Sequence, residues 1–141
     1  MNILKILTPR RAIGNLGEKA AAKQLRKEGY HILARNYVAE NAEIDIIAKK
    51  KDLLVFVEVK TRSIKALGFR EARPASSVTP EKQKKIIRAA SCFIGYKHEN
   101  LKKRFDVIEV LLDCYEDKTK IIEVRHLENT FDLNTAYKRH S

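Results

Sequence analysis

The segment Leu53-Leu54-Val55-Phe56-Val57-Glu58-Val59-Lys60 decides how the rest of this 141-residue chain is read. It is apolar enough for a central strand, yet it ends in two charges two residues apart. Side chains alternate along a strand, so Glu58 and Lys60 emerge on one face. A charged pair at the mouth of an apolar strand is costly to desolvate unless each group has a partner.

The preceding strand, Ala42 to Ala48, offers one. Glu43, Asp45 and Ile47 share a face there, with Ile44 and Ile46 on the other. The polar turn Lys49-Lys50-Lys51-Asp52 makes a hairpin of the two strands. A turn centred between Lys50 and Lys51 sets Glu43 opposite Glu58 and Asp45 opposite Phe56. Asp45 and Glu58 are then diagonal neighbours, within reach of a shared ion. A slip of one residue would send the two carboxylates to opposite faces, against the apolar alternation of both strands.

Upstream, Ile13 to Gly29 reads as a helix, with Asn15 as cap and Gly29 as stop. Glu18 shares its inward stripe with Ala21, Ala22 and Leu25, whereas Lys19, Lys23 and Lys27 point away. A carboxylate on an inward stripe wants a cation or a donor. Converging carboxylates repel one another, and oxygen ligands of this kind suit Mg²⁺ or Mn²⁺. Such an ion can activate water and stabilise charge on a phosphodiester, with Lys60 orienting the nucleophile or neutralising developing charge. Each feature also has a plainer reading: an Asp45–Lys60 salt bridge, an exposed helix acid at Glu18, a common Glu-x-Lys strand end. The set is far more specific than its members.

His31 to Val38 is a further strand, ending in a turn at Glu40-Asn41. Ser63 to Val78 is a long loop, expected to be mobile, that carries Lys65, Arg70 and Arg73. Thr79-Pro80-Glu81 opens a second helix: cap, proline at the first position, acid in the first turn. Arg104 to Leu112 and Lys120 to Leu127 close the pattern as strands. The order α-β-β-β-α-β-β fits one α/β domain over residues 1–141, with residues 1–12 a candidate flexible lead.

Composition narrows the function. With 44% hydrophobic and 33% charged residues, the chain reads as a folded domain. Cys92 and Cys114 have no metal-type spacing, and a disulfide framework is not expected. The amino-terminal apolar run is shorter than a signal-peptide core, and no run approaches the ~20 apolar residues of a membrane span, so a cytoplasmic protein is expected. Lys and Arg number 29 against 18 Asp and Glu, a formal charge of +11, which attracts polyanions. The basic face of the second helix (Lys82, Lys85 and Arg88) and Arg62 are candidate DNA-binding groups that position the backbone without reading bases. Lys138-Arg139 is the next basic site. The same charges would also serve an indifferent soluble surface or a ribosome-associated protein. His31, His98, His126 and His140 show no ligand spacing, and Asp106 reads as a buried structural acid. With no phosphate-cradling glycine loop and no Ser-His-Asp pattern, an ATPase or serine hydrolase is not supported.

At Gly17-Glu18, Glu43-Ile44-Asp45 and Phe56-Val57-Glu58-Val59-Lys60-Thr61-Arg62 the chain resembles the PD-(D/E)XK nuclease superfamily. More narrowly it resembles the YraN-like bacterial proteins, regarded as predicted endonucleases related to archaeal Holliday junction resolvases. Arg104-Phe105-Asp106-Val107-Ile108 and His126-Leu127-Glu128-Asn129 look like that family's later blocks. Ala42 stands where the family pattern usually has glycine. The resemblance implies a restriction-endonuclease-like three-layer core, a central mixed β-sheet flanked by helices. It implies a metal-dependent endonuclease on DNA, with branched or junction DNA as a candidate substrate and a homodimer as a candidate assembly. By it Asp45 and Glu58 hold Mg²⁺ or Mn²⁺, Lys60 is the catalytic lysine and Glu18 the accessory acid. The rival expectations are a catalytically silent nucleic-acid-binding or scaffold protein that retains the fold, and an RNA-directed protein.

Overall fold

In the computed structural model, which describes residues 9–64, 78–115 and 118–131, hairpin chemistry sets the first half of the sheet. Strand β1 (His31–Ala39) turns into β2 (Ala42–Lys50) through Glu40 and Asn41, at φ 52° and 59°. Two left-handed residues match a two-residue hairpin to the strands' twist. Ala42 lies outside that strained pair and faces Ala39, so the absence of glycine is tolerated. Strand β2 turns into β3 (Leu53–Ser63) through Lys51, at φ 54°, and Asp52.

Strand β3 pairs parallel with β4 (Lys102–Tyr115), which requires a crossover, and helix α2 (Pro80–Ile94) lies on that connection. Strand β5 (Lys118–Phe131) pairs antiparallel with β4. The sheet order is β1-β2-β3-β4-β5. Helix α1 (Pro9–Lys27) covers one face, packing Ala21, Ala22 and Leu25 against Ile46, Val55, Val57 and Ile108. Helix α2 covers the other, packing Ile86, Ile87, Ala89 and Ala90 near Ile47, Phe56, Phe105 and Val107. The fold is the expected α/β type, a five-stranded mixed sheet with a helix on each face, compatible with a restriction-endonuclease-like core.

The order of elements is as the sequence implied, and the strands run longer at their ends. Helix α1 starts at Pro9, so Asn15 is an exposed position inside it and not its cap. A proline in the first turn loses no hydrogen bond, so the helix can begin there. Gly29 ends α1 at φ 93°, and Tyr30 N–H returns to the Leu25 carbonyl at 3.0 Å. Thr79 caps α2 as expected, its hydroxyl accepting from the Lys82 N–H at 3.2 Å. Residues 1–8, the segment 65–77 with Lys65, Arg70 and Arg73, and Lys138-Arg139 lie outside the described residues.

Candidate active site

The hairpin register differs from the one the sequence suggests. The true turn sits two residues away in register, with Phe56 facing Ile47 and the last pair being Ile46 and Val57. One step beyond that pair come Asp45 and Glu58, level with each other, where the sequence had placed Asp45 opposite Phe56. An even shift preserves faces only where the alternation holds, and at this point it does not: Asp45 meets Glu18 of α1, whereas Glu58 meets Lys82 of α2. The cause of the register shift is the two-residue Lys51-Asp52 turn, which lets β2 run to Lys50.

Strand pairing then gives way to a side chain: Asp45 Oδ2 accepts the Val59 N–H at 2.8 Å. The alternation of β2 also breaks here. Ile44 packs with Ile47 on the α2 side while Ile46 packs on the α1 side, so Ile44 and Ile46 do not share a face as the sequence suggested. Opposite this break, β1 carries Asn36 in the left-handed region at φ 52°.

Helix α1 supplies the next acid by close approach. A Cβ on Gly17 would lie 1.8 Å from Thr61 Oγ1, so only glycine lets the helix lie against the end of β3. The neighbouring Glu18 thereby joins Glu43 and Asp45, with one carboxylate oxygen of each within 4.8 Å of the others. Arg35 lies 3.8 Å from Glu18, and the Asn36 amide, oriented to donate, reaches Glu18 at 3.1 Å and Glu43 at 3.0 Å. Of the donors to these three acids among the described residues, Arg35 carries a charge, whereas the Asn36 amide and the Val59 N–H do not, so the cluster is short of positive charge. Burial, followed by the Glu18, Glu58 and Glu43 charges and opposed by the Val59 N–H, pushes Asp45 up to about 6 from its ordinary 3.8.

Glu58 Oε1 is engaged by the Lys82 ammonium, while its Oε2 is buried with no hydrogen-bond partner. Burial holds the Lys60 ammonium below its usual range, partly offset by Glu58 and reinforced by Arg62 and Lys82. Arg62 and Lys82 thus border Lys60. Lys85 and Arg88 are exposed roughly one and two turns further along α2.

Two acids at this end of the sheet were absent from the predicted set. Glu43 had been placed on the right face without a role. Glu109, 2% exposed, stands beside Lys60 in the parallel β3–β4 register. The signal for Glu109 was in the sequence: it alternates with Phe105 and Val107, an acid at an inward position of an apolar strand.

A clustered set of carboxylates with an orphaned buried oxygen alongside suits a hard divalent cation, because Mg²⁺ and Mn²⁺ prefer oxygen donors and relieve like-charge repulsion. Glu18, Glu43 and Asp45 already meet, and Glu58 Oε2 is an acceptor without a donor. The residues present fit such an ion.

A second titratable cluster lies toward the other end of α1. Asp106 accepts from Arg104 Nε and Nη2, both at 2.8 Å, and from the Asn129 N–H at 2.9 Å. His126 Nε2 lies 2.6 Å from Asp106, and its Nδ1 faces Glu28 at 2.9 Å. Arg104 also donates to the Tyr30 hydroxyl at 2.8 Å. Burial pushes His126 down, but the hydrogen bonds it donates to Asp106 and Glu28 outweigh it and raise it above its usual range. Glu28, His126 and Glu128 come within ion-holding distance, yet both ring nitrogens already face carboxylates and Arg104 supplies a cation. Asp106 and His126 are structural, as their sequence context implied.

Comparison with known proteins is consistent with these motifs. A model of "Uncharacterised protein family UPF0102" matches residues 17–110, which span Glu18 through Glu109. A UPF0102 protein of Prosthecochloris aestuarii is 43% identical over 121 residues, covering 84% of this chain and 92% of that protein. One from Caldicellulosiruptor saccharolyticus is 38% identical over 123 residues, covering 86% and 98%. One from Clostridium botulinum is 40% identical over 123 residues, covering 86% and 94%. With the family model and near full-length relatives in agreement, the chain belongs to the UPF0102 family, the YraN-like group that its motifs resemble.

Proposed function

We propose that this protein is a divalent-metal-dependent endonuclease that cleaves DNA phosphodiester bonds. The observation that carries the reading is the convergence of Glu18, Glu43 and Asp45, with the orphaned oxygen of Glu58 on the neighbouring strand. Asp45 and Glu58 would hold Mg²⁺ or Mn²⁺, with Glu18 as accessory acid. A bound ion of this kind supplies Lewis-acid stabilisation of charge on the phosphodiester. Lys60, projecting from the same strand end as Glu58, orients the attacking nucleophile or neutralises charge on the phosphate oxygens. Its partly desolvated ammonium interacts more strongly than one in water would. Arg62 and Lys82 border the site, and Lys85 and Arg88 continue the basic surface along α2. These groups bind backbone phosphates on a chain of formal charge +11. Branched DNA, a homodimer and a cytoplasmic setting belong to the same proposal. No helix among the described residues is long and apolar enough to cross a membrane.

The test is incubation of the protein with Mg²⁺ or Mn²⁺ on linear, nicked and four-way-junction DNA. Cleavage that disappears in Asp45→Asn/Glu58→Gln, with DNA binding retained, is the expected result. Cleavage that survives the double change sinks the assignment. One observation favours a second reading, a DNA-binding scaffold without catalysis: Lys82 already occupies one oxygen of Glu58. Binding without cleavage under every metal and DNA structure would establish that reading.

A further inference from the structure

Glu109 is 2% exposed, and its Oε1 is buried with no hydrogen-bond partner. A buried carboxylate oxygen without a donor is costly unless a cation stands near it. Lys60 on β3, Glu109 on β4 and Arg125 on β5 are consecutive register partners, forming a row of alternating charge across three strands. Laterally paired residues project to the same face of a sheet, so Glu109 lies between two cations. Arg125 is committed elsewhere, its Nε donating to Glu123 at 2.9 Å. Its side chain is also 45% exposed, so water screens what it could offer Glu109. Lys60 is the more buried neighbour of the two, and Glu109 is among the charges that act on it, after Glu58, Arg62 and Lys82.

We infer that Glu109 is a positioning residue, its buried carboxylate holding the Lys60 ammonium at the end of β3. Glu58 and Glu109 then flank Lys60 along and across the sheet, and the lysine is set between two fixed acids. The role in catalysis rests on the endonuclease reading, whereas the Lys60–Glu109 coupling does not.

The experiment is a double-mutant cycle with Lys60→Met and Glu109→Gln, read by equilibrium unfolding and by cleavage kinetics. Removing Lys60 from the unmodified protein strands the Glu109 carboxylate. Its folding equilibrium constant should therefore fall at least tenfold more than when Lys60 is removed from the Glu109→Gln protein. Equal losses in the two backgrounds overturn the pairing, whether or not the protein cleaves DNA. In kinetics, Glu109→Gln should lower kcat at least tenfold with KM within about twofold, and Glu109→Asp should recover part of it. An unchanged kcat in Glu109→Gln overturns the positioning role even where the cycle shows coupling. Should Glu109→Gln fail to fold, Glu109→Asp carries the same cycle, with a smaller non-additivity expected. If the unmodified protein cleaves no DNA, the endonuclease reading falls and the unfolding cycle still decides the pairing.

Discussion

Glu18 at the middle of helix α1 and Glu28 just past its carboxy-terminal end live in opposite circumstances. Glu28 closes a chain in which His126, Asp106, Arg104 and Tyr30 satisfy one another, with Asp106 only 1% exposed. Glu18, about 15 Å along the helix by its rise per residue, joins Glu43 and Asp45, an acid cluster with few donors of its own. A satisfied buried network specifies and holds a fold. An under-neutralised one lowers stability and persists where something outside the chain completes it. The contrast separates the structural end of the molecule from the chemical one.

The largest effect should come from breaking the satisfied end. Asp106→Ala leaves Arg104 and His126 without their shared carboxylate and should cost about 3–5 kcal/mol, as for other severed buried pairs. Thermal unfolding checks this, and a loss near zero would erase the contrast. The same network carries a pH signature. His126 is raised above its ordinary 6.5, so its contribution is complete below that value and is lost as pH rises through the folded-state value. His126→Asn should therefore flatten the decline in stability on the alkaline side of pH 6.5.

At the chemical end, Lys60→Ala should lower cleavage about 10²–10³-fold, the usual cost of one preorganised electrostatic group. DNA affinity should stay within a few fold, because one phosphate contact among many contributes little. A parallel loss of both would make Lys60 a binding residue. The smallest effect concerns the outer face of α2. Lys85→Ala/Arg88→Ala should flatten the slope of log affinity against log salt by about two units. A slope that stays put would place the DNA on another surface.

Much of this was legible in the sequence because it rests on local rules. The Thr79-Pro80 cap, the Gly29 stop and the alternation of β3 gave every described element in order. The common face of Glu58 and Lys60 follows from parity along one strand, whereas the break in β2 takes Asp45 toward Glu18 of α1. What escaped depends on contacts between distant elements. The Lys51-Asp52 turn shifted the register, because three consecutive lysines offer no glycine to mark the turn's centre. Glu43 became part of the cluster only through the close approach of α1 at Gly17. Glu109 acquired its neighbours through the parallel β3–β4 pairing, which the sequence of β4 alone does not encode. Ile44 and Ile46 face opposite sides beside the left-handed Asn36 of β1, and periodicity has no sign for that.

The central claim is that the Glu18–Glu43–Asp45 cluster, with Glu58 beside it, is short of a divalent cation. The most direct test is the melting temperature of wild type and Asp45→Asn, with and without Mn²⁺, across pH. Asp45 is raised from 3.8 to about 6 in the folded protein, so without metal the wild type should lose stability as pH climbs through that interval and then level off. Asp45→Asn, which can still accept the Val59 N–H, should match the wild type near pH 4 and melt higher at pH 8. Mn²⁺ should raise the wild-type melting temperature at pH 8 and leave Asp45→Asn almost unmoved. A wild type indifferent to Mn²⁺, together with an Asp45→Asn protein that melts lower at pH 8 without metal, would contradict the claim.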